Sequence, residues 1–125
     1  MPAFPYKALL AQVREIDGFA LACLIDASTG MILGSVQDDE NLSPPIAAAG
    51  TADIASTLSL MTAALALDSD VQEITVTLSS HYYLIRLLQP GPEQRLLLLV
   101  TLDRKQASLG MAQYEIRNLS ISPAS

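Results

Sequence analysis

The sequence predicts an α+β fold with elements in the order α-β-β-α-β-β-β-α. Three observations carry that prediction. Apolar residues recur at helical spacing near the N-terminus (Tyr6, Leu9, Leu10, Val13, Ile16), and a long stretch with Asp53 as its single charge follows Ser43-Pro44-Pro45. Strand-length apolar runs occupy 19–25, 31–36 and 95–102, the last reading RLLLLVTL. Tight turns join the last three strands, which makes an antiparallel meander. The chain has 125 residues, half of them hydrophobic. One domain over 1–119 is therefore expected, burying roughly two-thirds of its unfolded surface, with a disordered Ser/Pro tail at 120–125.

The first helix is predicted over 5–17, with Gly18 placed to end it. Phe19–Ile25 and Met31–Val36 are strands, joined by Asp26-Ala-Ser-Thr-Gly30, a run of turn formers. Both are apolar at nearly every position, the pattern of a sheet covered on two faces. Ser43 then reads as an N-cap, followed by two prolines in the first turn of a helix reaching about Leu67. At ~100° per residue this helix sorts into three arcs. A bulky stripe (Ile54, Leu58, Met61, Leu65) is expected on the sheet. A stripe of small residues (Ala48, Ala52, Ala55, Ser59, Ala63, Ala66) is expected against a second helix, since small side chains permit close approach. The third arc holds Asp53, Thr57 and Ala64, with Leu60 and Leu67 as exposed apolar points for a partner. Glu73–Leu78 alternates as a half-exposed strand, and His81–Leu88 is a second. Gln89-Pro-Gly-Pro-Glu93 turns the chain into 95–102, and a last helix begins near Ala107.

Charge narrows the function. The formal net charge is −6, and no Lys or Arg lies between Arg14 and Arg86, where ten acidic residues fall. Nucleic-acid binding needs clustered cations and is disfavoured, whereas a basic partner would feel the acidic surface. Cys23 is the single cysteine. It permits no intrachain disulfide and no cysteine-based metal site, and it makes a cytoplasmic location the expectation. The uncharged run Ile54–Leu67 is shorter than the ~20 residues a membrane span needs.

Catalytic chemistry is sparse. Asp26, Ser28 and His81 contain the side chains of a nucleophilic triad, but nothing around Ser28 resembles a nucleophile elbow. Asp38-Asp39-Glu40 lacks the spaced oxygens and Gly of a calcium loop, and Gly30-x-x-x-Gly34 lacks the Lys-Ser/Thr of a phosphate cradle. No enzyme activity and no cofactor are expected.

The helix–hairpin opening IDGFALACLIDASTG, the Ala-rich middle helix and the close LLLLVTLDRKQASLGMAQYEI resemble the roadblock family, the dynein light-chain and bacterial gliding-regulator group. Ala107-Ser-Leu-Gly110 is similar to that family's lead into the last helix, although Ala112-Gln113 follows where an Arg is common. The resemblance implies a five-stranded antiparallel sheet with the middle helix on one face and the terminal helices on the other. It implies homo- or heterodimers built through the middle helix and the strand 73–78. On that basis Ala48, Ala52, Ala55, Ser59, Ala63, Thr75 and Thr77 are the expected dimer residues. It further implies a non-enzymatic module that binds a small Ras-like GTPase and modulates its nucleotide cycle, with Asp53, Leu60 and Leu67 as contacts. Two alternatives stand beside it: a pure adaptor of a motor or signalling assembly, and a small-molecule sensor with a cavity beside the sheet.

Overall fold

The structure, a computed structural model, describes residues 5–119; the expected tail at 120–125 lies outside them. Its elements are α1 (Tyr6–Arg14), β1 (Phe19–Asp26), β2 (Ile32–Gln37), α2 (Pro44–Ala64), β3 (Glu73–Thr77), β4 (His81–Gly91), β5 (Gln94–Asp103) and α3 (Leu109–Arg117). The strands form one antiparallel sheet in the order β2-β1-β5-β4-β3. The RLLLLVTL run is thus the central strand.

Strand alternation divides the core in two. Leu98 and Val100 of β5, with Leu24 of β1 and Leu84 and Leu88 of β4, face Leu9, Leu10 and Val13 of α1 and Ala112 and Ile116 of α3. The opposite parity (Leu21, Cys23, Ile25, Ile85, Leu97, Leu99) faces α2, which meets it with Ala47, Ala48 and Ala55. The layering implied by the resemblance is therefore present: the middle helix on one face, the terminal helices on the other. Gly18 closes the α1–β1 connection at φ +83°, where a Cβ would lie 2.9 Å from both Asp103 O and the Ala107 backbone N. Only glycine fits that backbone and that space.

Helix α2 corrects two expectations. Its bulky stripe does not lie on the sheet: Ile54, Met61 and Leu65 are 37, 51 and 61% exposed, and Leu58 is only half-buried. The small residues take that place, with Ala48 buried and Ala52 and Ala55 half-buried. The physical reason is complementarity. The sheet already presents Leu, Ile and Cys side chains on this face, so the helix comes close only by offering Ala and Thr to them. Thr51, also buried, returns its hydroxyl to the Ala47 carbonyl at 2.8 Å and so leaves no polar group unsatisfied.

The helix also ends at Ala64, three residues before Leu67. Ala66 adopts φ 57°, the Ala66 N–H donates to Ala63 O at 3.0 Å, and the Leu67 N–H donates to Thr62 O at 3.2 Å. This is a Schellman ending with Ala at the position that favours Gly. At 21 residues, α2 is long and apolar enough to cross a membrane by length and composition. The uncharged run 54–67 is shorter than the helix, which starts ten residues earlier and includes Asp53.

Candidate functional site: an uncovered helix and sheet face

The triad residues do not meet. Asp26 pairs with Leu96 and His81 with Asp103, so the two occupy opposite ends of β5, roughly 20 Å apart at ~3.3 Å per residue. Asp26 Oδ1 accepts from the Ser28 and Thr29 amides at 2.8 and 3.3 Å, which is turn chemistry. His81 Nδ1 lies 2.9 Å from Ser80 Oγ on its own strand end. Asp38 is paired with Arg14 at 2.8 Å, and Asp39 accepts the Asn41 amide, so these members of the acidic run are engaged in local structure. Burial in the α2-side core raises the Cys23 thiol to about 11, which removes its thiolate at neutral pH.

What the fold leaves open is the outer side of α2 and the sheet beside it. Ile46, Ile54, Leu60 and Met61 are exposed on this helix, and Leu65 and Leu67 just beyond it. The single charged residue of the helix, Asp53, is exposed among them. Helix α2 packs mainly on β1, β2 and β5. Toward β4 and the edge strand β3, Ile74, Val76, Tyr83 and Leu87 stay half-exposed on the same face. A groove of about 380 Å³ runs there, lined by Ile46, Gly50, Ile54, Leu78, Tyr83 and Leu99 among others. Contiguous exposed apolar residues, unlike scattered single ones, are the pattern that interaction sites present.

The predicted dimer residues are not brought together on this surface. Ala48 is part of the core and Ala52 and Ala55 line the helix–sheet seam, while Ser59 and Ala63 are exposed. Thr75 and Thr77 lie on β3, at the sheet edge where a further strand has room to pair, but on the face opposite α2. There the Gln113 amide donates to Thr75 Oγ1 at 3.3 Å. Neighbouring Glu73 accepts from Arg117 at 2.6 and 2.8 Å and lies 3.6 Å from Arg86. The Arg117 hydrogen bonds hold its carboxyl below the usual range. Asp53, Leu60 and Leu67 are exposed as expected. The bulky stripe Ile54, Met61 and Leu65 is what residue-level reasoning misplaced. The available signal was the unbroken apolarity of β1 and β5, which left the sheet needing only small partners.

No protein-family model and no curated protein matches the sequence. Solved structures do match. MglB of Myxococcus xanthus is 15% identical, covers 90% of this chain and 82% of its own, and superposes with a TM-score of 0.75. A roadblock/LC7 domain from Streptomyces avermitilis is 19% identical over 88% of this chain and 87% of its own, TM-score 0.70. The chain has the roadblock fold. The gliding protein MglB of Thermus thermophilus is also similar, with 19% identity over 89% of this chain and 79% of its own, TM-score 0.71. Shape is retained at identities where sequence comparison is silent, because a core tolerates extensive hydrophobic substitution when volume and patterning are kept.

Proposed function

We propose that this roadblock chain is a cytoplasmic, non-enzymatic dimer that binds a small Ras-like GTPase and modulates its nucleotide cycle. The observation that carries the reading is the uncovered apolar face of α2 and β3–β4 on a roadblock fold. The partner subunit is a second copy or a paralogue. Its α2 covers the half-exposed Ile74, Val76, Tyr83 and Leu87, and its β3 extends the sheet at the edge carrying Thr75 and Thr77. Ile54, Met61 and Leu65 supply the bulk of that contact. The small stripe retains only Ser59 and Ala63 for it, since Ala48, Ala52 and Ala55 are occupied by their own sheet. Asp53, Leu60 and Leu67, on the adjoining arc, remain for the GTPase. The likeness to MglB, described as a gliding protein, supports placing the chain among regulators of this kind.

Two measurements test this. Sedimentation should give a dimer; a monomer at micromolar concentration refutes the copy–copy half. A pull-down with excess GTP analogue and again with GDP should retain a small GTPase in one state. Retention indifferent to nucleotide, or a partner set without a GTPase, returns the chain to the adaptor class.

A further inference from the structure

Strand β3 has little cover of its own. It is five residues long, pairs with β4 alone, and keeps Ile74 and Val76 half-exposed on the α2 side. A short edge strand with few buried contacts opens readily unless its side chains are held. We propose that α3 does the holding: Gln113 and Arg117 position the β3 residues that pair with a second copy, and so set the register of that pairing. The inference rests on the two-copy reading above.

The direction of the backbone groups comes first. The Leu78 N–H donates to His81 O at 2.8 Å, and the Leu87 N–H to Gln72 O at 3.0 Å, so 72 and 78 are bonded positions of the β3–β4 ladder. In an antiparallel pair every second residue turns both its N–H and its C=O to the same neighbour. Ile74 and Val76, opposite Ile85 and Tyr83, therefore bond to β4. Glu73, Thr75 and Thr77 turn theirs to the open edge, while their side chains stand on the α3 side of the sheet.

Helix α3 grips these same residues. Ala112 and Ile116 anchor it in the core at 1 and 5% exposure. Gln113 and Arg117, one position on from each, are four residues apart and share a helix face. Arg117 Nε and Nη2 donate to the two Glu73 oxygens at 2.6 and 2.8 Å, the bidentate geometry in which an exposed ion pair counts. Gln113 Nε2 donates to Thr75 Oγ1 at 3.3 Å. Arg104, ahead of α3, donates to the Leu78 carbonyl at 2.7 Å and secures the far end of the strand. Holding the Glu73 and Thr75 side chains also holds the N–H and C=O of those residues, so the edge is preorganised before a partner arrives.

The register follows from the same three residues. With the two-fold axis at Thr75, Thr75 lies opposite itself and Glu73 opposite Thr77 of the partner subunit. Every outward N–H and C=O of Glu73, Thr75 and Thr77 then finds a partner. A shift by two residues leaves one of them unpaired in each copy. A shift by four toward Glu73 sets that carboxylate against its own copy, like charge on like.

Sedimentation equilibrium of the full chain reads the dimer constant, and urea unfolding of the dissociated chain reads the fold. Arg117→Gln should weaken the dimer roughly tenfold and Gln113→Ala several-fold, since a two-fold interface counts each change twice. Arg117→Lys, which keeps the charge and loses the fork, should recover part of the loss. Glu73→Gln added to Arg117→Gln should weaken the dimer no further, because one contact serves both. Under oxidised glutathione, Thr75→Cys should form a disulfide between copies, while buried Cys23 stays reduced. Thr77→Cys should not, its copies lying ~13 Å apart at ~3.4 Å per residue, beyond disulfide reach. A wild-type dimer whose constant is unmoved by Arg117→Gln and Gln113→Ala overturns this inference alone, even where the dissociated chain loses stability, because the contacts would then serve only the fold. Additive losses from Glu73→Gln and Arg117→Gln overturn the clamp, and cross-linking through Thr77→Cys in place of Thr75→Cys overturns the register. A monomeric wild type overturns the two-copy reading itself, and the inference with it.

Discussion

Replacing Met61 by Ala separates the two roles open to α2. Full burial of a Met side chain stabilises by ~1.5–3 kcal/mol. Met61 is 51% exposed in the single chain, so about half of that, ~1 kcal/mol, is left to be gained when a second copy covers it. A two-fold interface counts the site twice, which gives ~2 kcal/mol and a roughly 30-fold weaker dimer. Ala is the better helix former, so α2 itself should not lose stability from the change. Sedimentation equilibrium reads the dimer constant, and urea unfolding of the dissociated chain reads the fold. Leu60→Ala is the internal control. At 69% exposure it has as much to bury, yet it lies on the GTPase arc and should leave the dimer constant unchanged while weakening GTPase capture. An unchanged dimer constant in Met61→Ala refutes the assignment of the bulky stripe. A loss of ~2 kcal/mol or more in the dissociated chain would also refute it, because Met61 would then be a core residue.

Three further outcomes test the reasoning about the fold. Gly18→Ala should cost ~2 kcal/mol or more in urea unfolding, since left-handed backbone costs ~1–2 kcal/mol before any clash with Asp103 O and the Ala107 backbone; a neutral result would mean that the connection relaxes freely. Ala66→Gly relieves φ 57° at the end of α2 and should stabilise by ~0.5–1 kcal/mol, the strain relieved less the entropy glycine costs; a destabilised variant sinks the Schellman reading. Glu73 titrates below 4.5 in the folded chain because Arg117 hydrogen-bonds its carboxylate. Its contribution is therefore present at neutral pH and lost as pH falls below 4.5 through the folded value. Glu73→Gln should be the less stable protein at pH 7, with the gap closing on acidification; a gap independent of pH would show that the ion pair is not its cause.

Much of the fold was legible because local pattern and tertiary role agreed. The seven-residue buried run of β1 and the apolar centre of β5 already demanded cover on both faces, and α1 with α3 supplies one cover and α2 the other. The Ser43 cap with its prolines began α2 where expected, and the Ser43 hydroxyl accepts the Ile46 amide at 3.4 Å. The candidate surface was legible only in part. Leu60, Leu67 and Asp53 stand exposed as their arc predicted, but the arcs beside them exchanged places.

The sequence alone determined the element order, the strand periods and the three arcs of α2, because each follows from side-chain spacing along a regular backbone. Which arc meets the sheet was decided by tertiary structure. Periodicity gives the angle between stripes but not their direction, and hydrophobicity points the larger stripe inward. On this sheet the large side chains are already supplied by β1 and β5, so close packing admits Ala48, Thr51 and Ala55 and turns Ile54, Met61 and Leu65 outward.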